Sequence, residues 1–84
     1  MEYIIDCASI NTAEEFHNQL AYVLSLPDWY GYNLDALYDC LTELAAPTHL
    51  ILVNWDENTL FADGFRDVFL DAQSDNPDFS VTYS

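Results

Sequence analysis

Basic side chains are almost missing from these 84 residues: there is no lysine, and Arg66 is the sole arginine against 15 Asp and Glu, for a formal charge of -14. A surface so poor in cations repels phosphate, which excludes direct binding to DNA, RNA or an anionic membrane surface. Long apolar runs are also missing. The longest are only a few residues, as in Leu50-Ile51-Leu52-Val53, against the roughly 20 that a membrane-spanning helix needs. Residues 1–20 show no basic start followed by an apolar stretch and a small-residue cleavage site, so no secretory signal is read and a cytoplasmic location is expected. Cysteine is limited to Cys7 and Cys40, far apart, outside any CxxC pair and outside metal-ligand spacing with His17 and His49. Both are expected to be reduced, buried thiols, with no disulfide, no metal and no cofactor. No repeat or low-complexity stretch occurs, and no tail is read beyond a final strand ending near Ser84.

What is present is an apolar fraction of 51 %, enough for a folded core despite the charge, and a length that fits one domain over residues 1–84. The acid therefore belongs on a folded surface, where it speeds encounter with basic partners and disfavours self-association, so the free protein is expected to be a monomer.

Glu2 to Cys7 is a β-branched and aromatic run that predicts a first strand. Thr12 followed by Glu15 forms a capping box, and Phe16, Leu20, Val23 and Leu24 recur at helical spacing, predicting a helix from about Ala13 to Ser25. Pro27 turns the chain into Asp28-Trp29-Tyr30-Gly31-Tyr32, a segment crowded with rings that read as exposed. Asn33 can cap a second helix whose buried stripe is Leu34, Leu37, Leu41 and Leu44. After Pro47, residues His49 to Asn54 read as a second strand, apolar enough from Leu50 to Val53 to be covered on both faces. A third helical stretch runs from about Glu57 to near Ser74, with Phe61, Phe65, Val68, Phe69 and Ala72 inward and Gly64 able to split it. Asn76-Pro77 stops it, and Phe79 to Tyr83 alternates as a last strand. Strands separated by helices call for right-handed crossovers, hence an α/β fold with a three-stranded parallel sheet covered by three to four helices.

The clearest functional signal lies on the second helix. Asp35, Tyr38, Asp39 and Thr42 fall at i, i+3, i+4 and i+7 and share one face, opposite the leucines, with no Lys or Arg in the helix to relieve the acid. A solvated polar face would look the same. Trp29, Tyr30 and Tyr32 beside it favour a partner-binding hot spot instead, because aromatics next to unpaired carboxylates are costly as a mere solubility surface.

The run from Leu26 to Thr42, and above all Tyr30-Gly31-Tyr32-Asn33-Leu34-Asp35-Ala36-Leu37-Tyr38-Asp39-Cys40-Leu41, resembles the core segment of the barstar family, intracellular inhibitors of a bacterial secreted ribonuclease. The rest of the chain is similar mainly in length, strand placement and the closing Val68-Phe69 helix. The resemblance implies a barstar-like fold and a one-to-one complex in which the second helix and its preceding loop plug the active site of a basic ribonuclease. It implies that Asp39 takes the place of an RNA phosphate among the enzyme's Arg and His groups, and that Asp35 pairs with a neighbouring cation. Trp29 stands where the family has a Tyr that packs on a catalytic His, and Gly31 gives the loop backbone room to approach. Tyr30, Asn33, Leu34, Tyr38 and Thr42 complete the patch, and Asp71 matches a family Glu that makes a peripheral ion pair. Tyr38 and Leu44 each replace a family Trp, so the partner can differ from barnase itself.

Other readings compete. Catalysis would need Asp35 and Asp39 to work from a convex helix face, and neither GxSxG nor HExxH occurs. The acidic groups Asp71, Asp75, Asn76, Asp78 and Asp56, Glu57, Asn58 lack the EF-hand pattern and read as solvated turns. His17 and His49 read as lone packing or surface residues. A nucleic-acid mimic that blocks a DNA-binding protein should spread carboxylates over an extended surface, whereas the aromatics here gather near one helix. Within the inhibitor class, an antitoxin or immunity protein against a delivered toxin ribonuclease is the alternative to self-protection.

Overall fold

A computed structural model describes residues 1–84. Strands β1 (Glu2–Asp6), β2 (Thr48–Val53) and β3 (Phe79–Tyr83) form one parallel sheet in the order β1-β2-β3. Helices α1 (Ala13–Val23) and α2 (Leu34–Thr42) connect β1 to β2, and α3 (Ala62–Asp75) connects β2 to β3. The expected α/β fold with a three-stranded parallel sheet is what forms, with three α-helices and a short 3-10 turn at Cys7–Ser9. In the register, Tyr3 pairs Leu50 and Ile5 pairs Leu52, while Leu50 pairs Val81 across the other edge.

The local reasons are legible at each helix start. Thr12 accepts from the Glu15 amide, and the Glu15 carboxylate accepts from the Asn11 and Thr12 amides, completing the predicted capping box of α1. Ser25 sits in the left-handed region at φ 52°, and the Leu26 amide donates back to the Ala21 carbonyl, so α1 ends at Val23, two residues earlier than its apolar period predicts. The third helix starts later than predicted because its first residues make turns instead. The Asp56 carboxylate accepts from the Asn58 amide, and the Thr59 amide and hydroxyl both donate to the Asp56 carbonyl. Short polar side chains that bond nearby backbone in this way compete with helix. Gly64 does not split α3; a Cβ there would come within 2.9 Å of a Leu34 methyl, so the glycine marks the close approach of α3 to α2.

The core lies between one face of the sheet and the helices. Leu50 and Leu52 are fully buried, together with Phe16, Leu20, Leu37, Leu41 and Phe69, each contributing about 1.5–3 kcal/mol by burial. Phe16 is its hub, with the Phe65 ring 4.5 Å away and Trp55 at 5.9 Å. The opposite face of the sheet departs from expectation. Ile51 and Val53 are only half-buried and Ile4 is 64 % exposed, so β2 alternates rather than being covered on both faces. All three helices serve the other side, and on this one the neighbouring strands, with His49 bonded to Glu2 and Thr82, give Ile51 its partial shelter. No helix is long and apolar enough to cross a membrane.

Candidate partner-binding surface

The site is assembled from the loop after α1, from α2, and from the last turns of α3. Asn33 makes the joint: its Oδ1 accepts from the Ala36 amide at 2.8 Å, capping α2 as predicted, and its Nδ2 donates to the Gly31 carbonyl at 3.2 Å. A Cβ on Gly31 would stand 3.0 Å from that Nδ2, so the missing side chain protects the cap itself.

Along α2, Leu37, Cys40 and Leu41 face the core while Asp35 and Asp39 are exposed. Neither carboxylate accepts a hydrogen bond or ion pair from within the chain. Leu44, expected in the buried stripe, lies past the helix end and is half-buried; Leu34 is half-buried against Gly64. Thr42 turns its hydroxyl back to the Tyr38 and Asp39 carbonyls.

The loop divides its rings. Trp29 is 60 % exposed and Tyr32 is 51 % exposed, whereas Tyr30 is 6 % exposed, with its hydroxyl bonded to Nδ1 of buried His17. The expectation of three exposed aromatics is corrected at Tyr30, whose ring belongs to the core because α1 offers it a polar partner there. Burial pushes the Tyr30 phenol well above its ordinary value, so it keeps its proton.

Tyr38 draws α3 into the site. Its hydroxyl donates to the Asp75 carboxylate, and its phenol is held above the ordinary value first by that bond, then by burial and by the charges of Asp75, Asp71 and Asp39. Asp39, Asp71 and Asp75 thus surround one phenol. Asp75 was legible only as a turn residue in the sequence, although its i, i+4 spacing from Asp71 puts both on one face of α3. Asn76, also read as a solvated turn, is buried: its Nδ2 donates to the Leu41 and Leu44 carbonyls at 2.9 and 3.1 Å, and so ties down the end of α2. Of the two places read for His17, packing or surface, the structure gives packing. Leu20 and Leu24 at i+3 and i+7 signal that it lies on the buried stripe.

Both cysteines are free thiols; Cys40 is buried and Cys7 only half-buried. Burial raises both, helped at Cys40 by Glu43 and Asp39 and at Cys7 by Asp6, which leaves them poor nucleophiles. No group of His, Cys, Asp or Glu is placed to hold a metal ion. The cleft nearest α2 is lined by Leu24, Ser25, Leu26, Pro27, Cys40, Glu43 and Leu44, and excludes Asp35 and Asp39. What the arrangement offers is an exposed, acidic and aromatic surface on a capped helix.

A family model described as barstar (barnase inhibitor) matches residues 1–83. A Bacillus subtilis (strain 168) protein named "Putative ribonuclease inhibitor YrdF" is 39 % identical over 69 residues, which are 81 % of this chain and 76 % of that protein. Joined to the parallel sheet and to the capped acidic helix, these matches assign the chain to the barstar family.

Proposed function

We propose that this chain is a cytoplasmic inhibitor of a basic ribonuclease, secreted or delivered as a toxin, which it blocks as a one-to-one plug in the active site. The observation that carries the reading is the pair of exposed, unpartnered carboxylates, Asp35 and Asp39, on a helix whose start is fixed by Asn33 and flanked by exposed Trp29 and Tyr32. An enzyme that binds RNA displays cations around a phosphate pocket. Carboxylates offered there at fixed spacing compete with the substrate through charge-assisted hydrogen bonds, and a preformed helix loses little ordering entropy on binding. Asp39 occupies the phosphate position and Asp35 pairs with an adjacent cation. Trp29 covers a catalytic imidazole, with the Gly31 backbone, Asn33, Leu34, Tyr38 and Thr42 packed around them and Asp71 at the rim. Tyr30 serves from beneath rather than by contact, because its ring is buried. The remaining acid steers encounter, so association slows as salt rises.

The test is inhibition of a barnase-like, guanyl-preferring ribonuclease by the purified protein, titrated at low and high salt beside Asp39→Ala. Stoichiometric inhibition that Asp39→Ala weakens by orders of magnitude, and salt weakens further, supports the reading. Wild-type protein that leaves such enzymes active while releasing a DNA-binding protein from DNA would replace it with nucleic-acid mimicry.

A further inference from the structure

The two outer strands of the sheet close their open edges differently. Alternation along each strand fixes which backbone groups turn outward. On β3, the Asp78 and Ser84 carbonyls accept from β2 amides and the Ser84 amide donates to the Leu52 carbonyl, so the amides of Phe79, Val81 and Tyr83 point away from the sheet. On β1, the Met1 carbonyl accepts from the His49 amide, which leaves Glu2, Ile4 and Asp6 as the residues whose backbone faces out. An unpaired edge invites a further strand unless charge, proline or a bulge blocks it. β1 has charge, in Glu2 and Asp6. β3, also five residues long, has none of the three: in a chain with 15 acidic residues, Phe79-Ser80-Val81-Thr82-Tyr83-Ser84 carries no charge and no proline, and its register with β2 runs one to one. An uncharged run of aromatic and β-branched residues is the kind that pairs with its own copies.

What covers β3 comes from α3. The Phe79 amide donates to the Asn76 carbonyl, and the Val81 amide donates at 2.9 Å to the side-chain Oε1 of Gln73. The Tyr83 amide, last of the three, has no acceptor. Leu70 and Gln73, one turn apart on α3, line a cleft of about 250 Å³ beside the edge together with Arg66, Val81 and Tyr83. Leu70 is 59 % exposed there. The Gln73 bond lies at the surface, where water would satisfy the Val81 amide equally well. Water would not keep another strand away.

We propose that Gln73 is an autoinhibitory cover on a strand-pairing site: its side chain occupies the central amide of the β3 edge, and without it that edge pairs antiparallel with the β3 edge of a second copy.

The pairing is self-complementary about Val81. A two-fold axis there sets Val81 opposite Val81, each amide donating to the other's carbonyl, and gives the Tyr83 amide the outward carbonyl of the second copy's Phe79. The bond from the Phe79 amide to Asn76 is left intact. Ser80 then stands opposite Thr82, so no like charges meet across the pair, and the exposed side of Leu70 lies along the new seam. On β1 the same operation would bring Glu2 and Asp6 of both copies to one seam, which fixes β3 as the edge in need of a cover. The net charge of -14 opposes any such pairing at low salt, so the cover and the charge act together.

The experiment compares the wild type with Gln73→Ala, which removes the acceptor, and Gln73→Glu, which keeps one. Gln73 is exposed on α3, and alanine suits a helix, so the fold is retained. In dilute protein, NMR-detected hydrogen exchange at the Val81 amide should be about fivefold faster in Gln73→Ala than in the wild type or Gln73→Glu. The Tyr83 amide, which the cover does not touch, should exchange alike in all three. At millimolar protein in about 1 M salt, where charge is screened beyond about 3 Å, sedimentation should show Gln73→Ala as a dimer and the other two as monomers. In that dimer the Val81 and Tyr83 amides should both become slower to exchange, a signature that only pairing along β3 produces. Exchange at Val81 indifferent to Gln73→Ala would overturn the proposal. So would a Gln73→Ala protein that stays monomeric under the concentrated, high-salt condition, a dimer that leaves the Tyr83 amide as open as before, or equal association of Gln73→Glu.

Discussion

Two acidic regions of the molecule are built in opposite ways. Near the start of α3, Glu57 and Asp63 both hold Arg66, the chain's one basic side chain, with Asp63 at 2.9 Å. On α2, Asp35 and Asp39 have no cation and no donor, and α3 adds Asp71 and Asp75 beside them. The difference teaches where the charge is structural and where it is left unsatisfied. Lack of a partner alone does not mark a site, since Glu14, Asp28, Glu43, Asp67 and Asp78 also lack one. What distinguishes the α2 pair is support from below: an Asn33 cap, an Asn76 tie at the helix end, and exposed Trp29 and Tyr32 alongside.

The sharpest way to break this comparison is to remove one carboxylate from a supported position and one from an unsupported position. Asp39→Ala should weaken ribonuclease binding by about a hundredfold or more, because truncating a partner in a buried charge pair strands the opposite charge in the complex. Asp67→Ala, an exposed carboxylate on α3, should change Kd by less than about threefold. Calorimetric or inhibition titrations of both variants at one ionic strength decide it; similar losses would mean that net charge, and not the α2 geometry, governs binding.

Next in size is the support itself. Asn76→Ala removes both bonds to the Leu41 and Leu44 carbonyls from a buried site, at a cost of about 2 kcal/mol. For a domain of this size the melting temperature should fall by about 10 °C. Loss of ribonuclease affinity at a temperature where the variant is still folded would show that the tie also shapes the α2 surface.

The sequence carried the element order and the helix starts because those follow from local patterns: Thr12 with Glu15, Asn33 before a leucine stripe, Pro27 and Pro47 as stops. It also placed Asp35 and Asp39 outward, since helical spacing puts them opposite Leu37 and Leu41. What it did not carry were the pairings between distant segments. Nothing local tells that Asn76 reaches α2, that Asp75 takes the Tyr38 hydroxyl, or that Tyr30 alone among the loop aromatics turns inward to His17. The uncovered sheet face was hidden for a related reason: the apolar run Leu50 to Val53 reads the same whether helices pack on one side or two.

A smaller effect separates helix geometry from charge. Asn33→Ala leaves every carboxylate in place but removes the cap and the bond to the Gly31 carbonyl, and should cost about 1 kcal/mol of stability. If the supported arrangement of Asp35 and Asp39 matters, thermal unfolding and ribonuclease Kd should both worsen in this variant at unchanged net charge.

The smallest effect is expected on the other side of the comparison. Arg66→Ala frees Glu57 and Asp63 and makes the chain one charge more acidic, yet it touches only exposed pairs, which contribute little in water. Its melting temperature should barely move, and ribonuclease affinity should hold or rise slightly at low salt through stronger steering. One local signature should still report that the pair is gone. The Tyr83 phenol is held above its ordinary value, by burial first and then by Glu57, while Arg66 pulls it down; without Arg66, the Tyr83 ring signals in NMR spectra should shift at neutral pH. A variant that shows that Tyr83 shift and full inhibition confirms that the paired acid and the unpaired acid do separate jobs. Weakened inhibition in the same variant would mean instead that the arginine, from its place over β3 beside Leu70 and Val81, helps to set the α2 surface.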